Sequence, residues 1–152
     1  MNILKFQIGL ALAVFLTACS TRPLPPINFT EPGWKIQQGQ VVWRAQNDAP
    51  EIAGELLLAT HLDGRTVVQF TKAPYPWVIA QTTPKAWKLE IPVQDKKYSG
   101  TGKPPKRLAW FYLPPALQGI APPAPWLFYQ SENKNWQLVN KTSGEMLEGY
   151  LE

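Results

Sequence analysis

The chain has 152 residues, with 15 Lys and Arg against 11 Asp and Glu, one cysteine and a formal net charge of +4. That length suits one domain with a real core, the lone cysteine excludes an intramolecular disulfide framework, and so mild a charge demands no nucleic-acid partner. Sixteen prolines and seven tryptophans, with few long helical periodicities, argue against a helical bundle and for a β-rich fold.

The chain opens on a leader. The Met1 amine and Lys5 form a charged tip, residues 6–15 are apolar except for Gln7 and Gly9, and Leu16-Thr17-Ala18-Cys19 closes the stretch. A basic start, a short apolar run and a small residue before the cut describe an export signal. The run is too short to span a bilayer, which takes about 20 apolar residues. The Leu-x-Ala-Cys ending resembles the lipobox of bacterial lipoproteins. The resemblance implies a diacylglyceryl group on the Cys19 thiol, cleavage before Cys19 and acylation of the new amine. Loss of Lys5 with the leader lowers the net charge by one. Two or more acyl chains hold a protein stably, at roughly 0.8 kcal/mol per buried CH₂, so the mature chain is expected to be tethered to a membrane and not to span it. Ser20 stands where the enterobacterial sorting rule places Asp for inner-membrane retention, which favours the periplasmic face of the outer membrane. The expected organisation is a signal peptide at 1–18, the lipidated cysteine with a proline-rich tether at 19–34, and a β-rich domain at 35–152. Pro23, Pro25, Pro26 and Pro32 predict an extended spacer that lifts the domain off the bilayer.

The predicted strands follow in order. The first runs over 35–44, the second over 55–61 and the third over 66–71. Between the last two, Leu62-Asp63-Gly64-Arg65 carries an Asp-Gly pair and predicts a hairpin with a type I′ turn. In the second strand Leu56, Leu58 and Thr60 share one face, while Leu57 and Ala59 share the other. Two apolar faces predict partial cover on both sides. Ala73-Pro74-Tyr75-Pro76 reads as a rigid connection before a strand at 77–81. A turn at 82–85 leads to a strand at 87–91, where Trp87, Leu89 and Ile91 alternate with Lys88 and Glu90. Residues 96–102 predict a weak edge strand blunted by Lys and Gly. Residues 108–119 place apolar side chains at a rough helical spacing, but Pro114 and Pro115 limit them to one or two short helical turns. Strands at 126–130, 136–140 and 145–151 close the chain, the last two joined by Lys141-Thr142-Ser143-Gly144 with Gly144 in the left-handed position. A meander this long curls because strands twist. The expected fold is mainly β: a single curved antiparallel sheet or incomplete β-barrel, with a short helical segment against its concave face.

That strand count and the helical insertion around Leu113-Pro114-Pro115-Ala116-Leu117-Gln118-Gly119 resemble the LolA/LolB-like fold from about Gln40 to Leu151. The resemblance implies an open barrel that carries acyl chains of other lipoproteins. The chain is shorter than that family and has less helix, so no functional residue is carried over.

Catalytic patterns find little purchase. His61 is the only histidine and is expected to be exposed beside the Asp-Gly turn, with no Gly-x-Ser-x-Gly elbow to serve. One His and scattered carboxylates offer no metal-ligand spacing, and Gly100-x-Gly102-Lys103 is a turn with a lysine. Glu51 with Glu55, and Glu145 with Glu148, are the pairs a glycosidase reading would need; solvated strand faces are the expected account. Five of the seven tryptophans are expected in the core. Tyr75, Trp77, Trp110 and Tyr112 are the aromatics placed to do otherwise. Lys103, Lys106 and Arg107 form a small basic cluster facing solvent or lipid headgroups. The expected function is a non-enzymatic, cofactor-free envelope lipoprotein. It binds or transfers a lipid or other apolar ligand in the concavity, lined by Tyr75, Trp77, Leu108, Trp110, Phe111 and Leu113. The alternative is an accessory lipoprotein with a solid core that docks on an envelope protein partner.

Overall fold

The computed structural model describes residues 24–152, so the leader and Cys19 lie outside the described residues. Nine strands form one antiparallel sheet: β1 (Trp34–Arg44), β2 (Glu51–His61), β3 (Thr66–Lys72), β4 (Tyr75–Thr82), β5 (Ala86–Ile91), β6 (Lys96–Thr101), β7 (Trp126–Gln130), β8 (Asn135–Asn140) and β9 (Met146–Leu151). Their spatial order is β6-β5-β4-β3-β2-β1-β9-β8-β7. The sheet is not closed into a barrel. The six-strand meander and the three closing strands are as expected; their junction is an antiparallel pairing of β1 with β9, from Gly39 opposite Leu151 to Arg44 opposite Met146.

Period-two alternation sorts the side chains. Val41, Leu56, Leu58, Val68, Phe70, Val78, Ala80, Leu89, Trp136, Leu138 and Leu147 all point to one face and form the core. Onto that face folds the segment between β6 and β7. It makes a 3-10 turn at Ala109–Phe111 and one short helix, α1 (Leu113–Leu117). Pro114 and Pro115 sit in the first turn of α1, where no intrahelical donor is needed, and Gly119 follows at φ +86°. The helical segment therefore lies against the concave face, as the sequence predicts.

The β2–β3 hairpin is present, but its turn differs from the expected type I′. Gly64 N–H donates to His61 O and His61 N–H donates to Arg65 O, and only Gly64 of the pair has positive φ. This is a three-residue loop, a type I turn followed by a left-handed glycine. The β8–β9 loop is as expected, with Gly144 at φ 74° and Asn140 Oδ1 accepting the Thr142 and Ser143 amides.

The tether expectation needs correction. Residues 25–32 do not extend away from the domain. Gln81 Nε2 donates to Pro25 O at 3.0 Å, and His61 Nε2 stands 3.0 Å from Pro32 O. Ala59, Val67 and Gln81 form one row across the outer face of β2, β3 and β4, and all three are buried. The proline-rich strap crosses that row. This is the second cover that the two apolar faces of β2 require.

Candidate functional site

The concavity is the first place to look, and aromatic rings fill it. Trp110 stacks on Phe70, with ring centroids 5.4 Å apart and planes at 21°. Trp43 meets both edge-on, at 5.7 Å and 6.1 Å. Trp87 meets Phe111 edge-on at 5.6 Å. Two glycines make room for this. A Cβ on Gly54 would lie 2.5 Å from Phe70 Cε2, and one on Gly100 would lie 2.7 Å from the Trp87 indole. Each ring thus rests on bare backbone of the neighbouring strand.

The expected ligand-lining residues divide accordingly. Trp110 is 4% exposed, Phe111 is equally buried, and Leu113 is fully buried. Leu108 and Trp77 are half-buried against the same cluster. These five come together, but in the packed cluster that fills the concavity, Trp77 from the sheet and the other four from the plug. Apolar side chains at the spacing of a helical turn bury themselves most fully against the apolar face that the sheet offers. Trp77 owes its position to a bulge. The register shifts between Phe70 and Thr71, so Val78 opposes Phe70 while Pro76 opposes Thr71. The extra residue, Trp77, turns its ring edge-on to Phe70 at 6.4 Å, with Lys72 Nζ 5.5 Å above it. Tyr75 stands apart, 66% exposed at the start of β4. Six tryptophans belong to the core cluster; the seventh, Trp34, lies on the outer side.

There Trp34 joins a clasp that holds the strap. Arg65 Nη2 donates to Glu31 Oε1 at 2.7 Å and Arg65 Nε to Asp63 Oδ2 at 2.7 Å. Its guanidinium lies 5.2 Å from the Trp34 ring centroid. His61 Nδ1 is 2.7 Å from Asp63 Oδ1, and its ring meets Trp34 at 5.0 Å. The hydrogen bond from Arg65 and its charge hold the Glu31 carboxyl below its ordinary value of 4.5. Partial desolvation raises that of Asp63, but hydrogen bonds from Arg65 and His61 outweigh it, and the net shift is downward. His61 is therefore covered, with its side chain 10% exposed, and not the exposed residue expected. Arg65 and Glu31 are 34 positions apart, a pairing that local sequence pattern does not signal.

Only one of the two carboxylate pairs is split between the faces of the sheet. Glu145 faces the core side, where Trp43 Nε1 donates to Oε1 at 3.1 Å. Glu148 lies on the outer face and accepts from Gln137 Nε2. Glu51 pairs with Arg44 at 3.5 Å. Burial lifts the Glu145 carboxyl from 4.5 to about 7, with the Trp43 hydrogen bond opposing. Among the described residues, no three His, Cys, Asp or Glu side chains gather to hold a metal ion. No helix among them is long and apolar enough to cross a membrane.

Two open recesses matter. On the outer face, β9, β1, β2 and β3 form a trough of ≈540 Å³ with Val42 and Ala53 on its floor and Gln40, Glu55, Glu148 and Tyr150 along its sides. It continues into a ≈280 Å³ recess past Gln38, Gln69 and Glu152. The second is a ≈340 Å³ cleft at one end of the sheet. There the Thr82 hydroxyl, Tyr112 and Phe111 meet the turns at Gly64, Pro84 and Lys103. Tyr112 Oη donates to Pro104 O across this end.

The sequence matches no protein-family model, and no curated protein shows significant similarity to it.

Proposed function

We propose that this chain is a lipid-anchored protein of the bacterial cell envelope, held at the periplasmic face of the outer membrane through Cys19. We further propose that it is a non-catalytic module that docks on a protein partner. The filled concavity carries the choice of docking over transport. With Trp110 stacked on Phe70 and Leu113 wholly enclosed, an acyl chain entering there must first expel the core.

The outer-face trough supplies the docking surface. Its polar side chains are mainly amides and carboxylates, among them Gln38, Gln40, Glu55, Glu148 and Glu152, with Lys72 as the one cation and Tyr150 as the aromatic anchor. Such a surface suits a partner segment that bears Lys or Arg. A photo-crosslinker at Gln40 is expected to capture an envelope protein, while one at Lys97, on the outer side of edge strand β6, is not. Glu55→Lys with Glu148→Lys is expected to abolish the capture; crosslinking that survives this reversal ends the trough reading. Labelled palmitate, incorporated by wild type and not by Cys19→Ala, tests the anchor.

A lipid carrier is the second reading. The cleft beside Thr82 and Tyr112 favours it, because Phe111 and Pro115 give it an apolar wall. Native mass spectrometry separates the two readings: a co-purifying lipid supports the carrier, and a protein mass without one supports docking.

A further inference from the structure

The strap fixes more than the cover of Ala59 and Val67, because it also sets where the chain enters the fold. Pro25 is held by Gln81, one residue before the end of β4. That end of the sheet carries three turns in mutual contact. A Cβ on Gly64 would meet Pro84 Cγ at 3.5 Å, and Gly102 N–H donates to Lys85 O at 2.7 Å. Only residues 20–23 separate Cys19 from Leu24. At about 3.3–3.6 Å per residue, the five steps span at most roughly 18 Å. The row of Gln81 meets β1 at Ile36, and from there the strand runs on to Arg44, roughly 26 Å at about 3.3 Å per residue. Cys19 therefore reaches the strap end of the domain and falls short of the opposite end, where Asn47 and Ser143 meet.

The chemistry of the strap end agrees with its position. Leu62, at the tip of the β2–β3 loop, is 91% exposed, the most exposed large apolar side chain among the described residues. Around it Lys35, Lys85 and Lys103 are exposed cations. The acids of this end, Glu31 and Asp63, share Arg65, which leaves one formal negative charge against the three lysines. An apolar tip ringed by unpaired lysines suits the interface of a bilayer with anionic headgroups.

We propose that the domain stands on the bilayer on this end, with Leu62 in the interfacial layer and Lys35, Lys85 and Lys103 on anionic headgroups. The inference rests on the lipid-anchor reading. The orientation turns the Arg44–Glu51 end away from the membrane and leaves the outer-face trough open from the side.

The test uses the full-length, lipidated protein in vesicles of phosphatidylethanolamine and phosphatidylglycerol. Acylation blocks the Cys19 thiol, so a second cysteine is free for an environment-sensitive fluorophore. Leu62→Cys places the fluorophore at the proposed contact, and Thr142→Cys places it on an exposed turn at the far end. The label at 62 is expected to emit at shorter wavelength and to be quenched by iodide severalfold less than the label at 142. Lys35→Glu with Lys85→Glu and Lys103→Glu is expected to remove that protection while the protein still floats with the vesicles. Equal quenching at 62 and 142, in protein that carries palmitate, overturns the orientation and spares the anchor. Protein without palmitate that fails to float overturns the anchor, and the orientation falls with it.

Discussion

Two titrating sites act on stability with opposite signs, the buried Glu145 carboxyl and the Glu31–Asp63 pair of the clasp. The Glu145 carboxyl sits on the core side of the sheet under the Trp43 indole, and burial lifts its pKa from 4.5 to about 7. Between those values the unfolded chain has released a proton that the folded chain keeps, so stability falls as pH rises through this window and levels off above about 7. The effect is at most roughly 3 kcal/mol, since each tenfold change in proton affinity is worth about 1.4 kcal/mol. Glu145→Gln keeps an acceptor for Trp43 and removes the ionisation. It is expected to flatten the urea midpoint against pH and to exceed wild type above neutrality. Parallel pH profiles for the two proteins rule this out. Glu31 and Asp63 work the other way. Arg65, joined at Asp63 by His61, holds both carboxyls below their ordinary values of 4.5 and 3.8, so the clasp is whole above those values and fails as pH falls below them. Arg65→Gln is expected to speed hydrogen exchange across residues 24–33 at neutral pH and to leave the amides of β3 and β4 protected. Unchanged exchange in the strap means that the clasp does not hold it.

The elements show how ring and glycine pair across strands. Phe70 on β3 lies over Gly54 on β2, where a Cβ meets Phe70 Cε2 and Thr71 O at 2.5 Å. Gly54→Ala is expected to cost about 1–3 kcal/mol, the usual range for overpacking a filled core. Phe70→Leu in the same chain is expected to recover part of it, which a double-mutant cycle in urea measures; strict additivity removes the ring-seat argument. These pairings also show what the sequence makes legible. Alternation places β5 and β8 well, and Asp63-Gly64 marks its hairpin, because those signals are local. The turn type escapes, since Asp-Gly serves both the two-residue and the three-residue loop. Glu51 begins β2 four residues ahead of the expected strand because β1 extends to Arg44 and supplies partners that far. The seam between β1 and β9, the strap on β4 and the Glu31–Arg65 pair join distant segments, which periodicity does not register. At the candidate site, residue type and helical spacing identify Trp110, Phe111 and Leu113 as apolar and clustered. They do not distinguish the plug of a cavity from its lining, because both are apolar rings facing an apolar sheet.

At the scale of the molecule, a nine-stranded open sheet and its aromatic plug behave as one packed object, and the plug is the point at which docking and transport part company. The centre of the concavity is Trp110, stacked on Phe70 and met edge-on by Trp43. Removing it deletes a ring system that the surrounding strands cannot replace by relaxing, since Phe70 is itself seated on Gly54. Trp110→Ala is therefore expected to cost about 3–5 kcal/mol, the range for emptying a buried aromatic site. If the fold survives, the void is apolar and remains dry, and voids of that kind take up small apolar ligands. A carrier and a docking module then give different titrations with a fluorescent fatty acid. For a module with a solid core, wild type leaves the probe's emission unchanged, while Trp110→Ala binds the probe and gains thermal stability as its concentration rises. For a carrier whose plug swings out, wild type binds at one equivalent and Trp110→Ala binds at least as well. Where Trp110→Ala does not fold, Trp110→Leu keeps apolar contact with Phe70, opens a smaller void and answers the same question. Saturable binding by wild type that Pro115→Glu in the Thr82–Tyr112 cleft does not abolish overturns the solid-core reading, because a ligand can enter the concavity itself only by displacing Trp110 from Phe70.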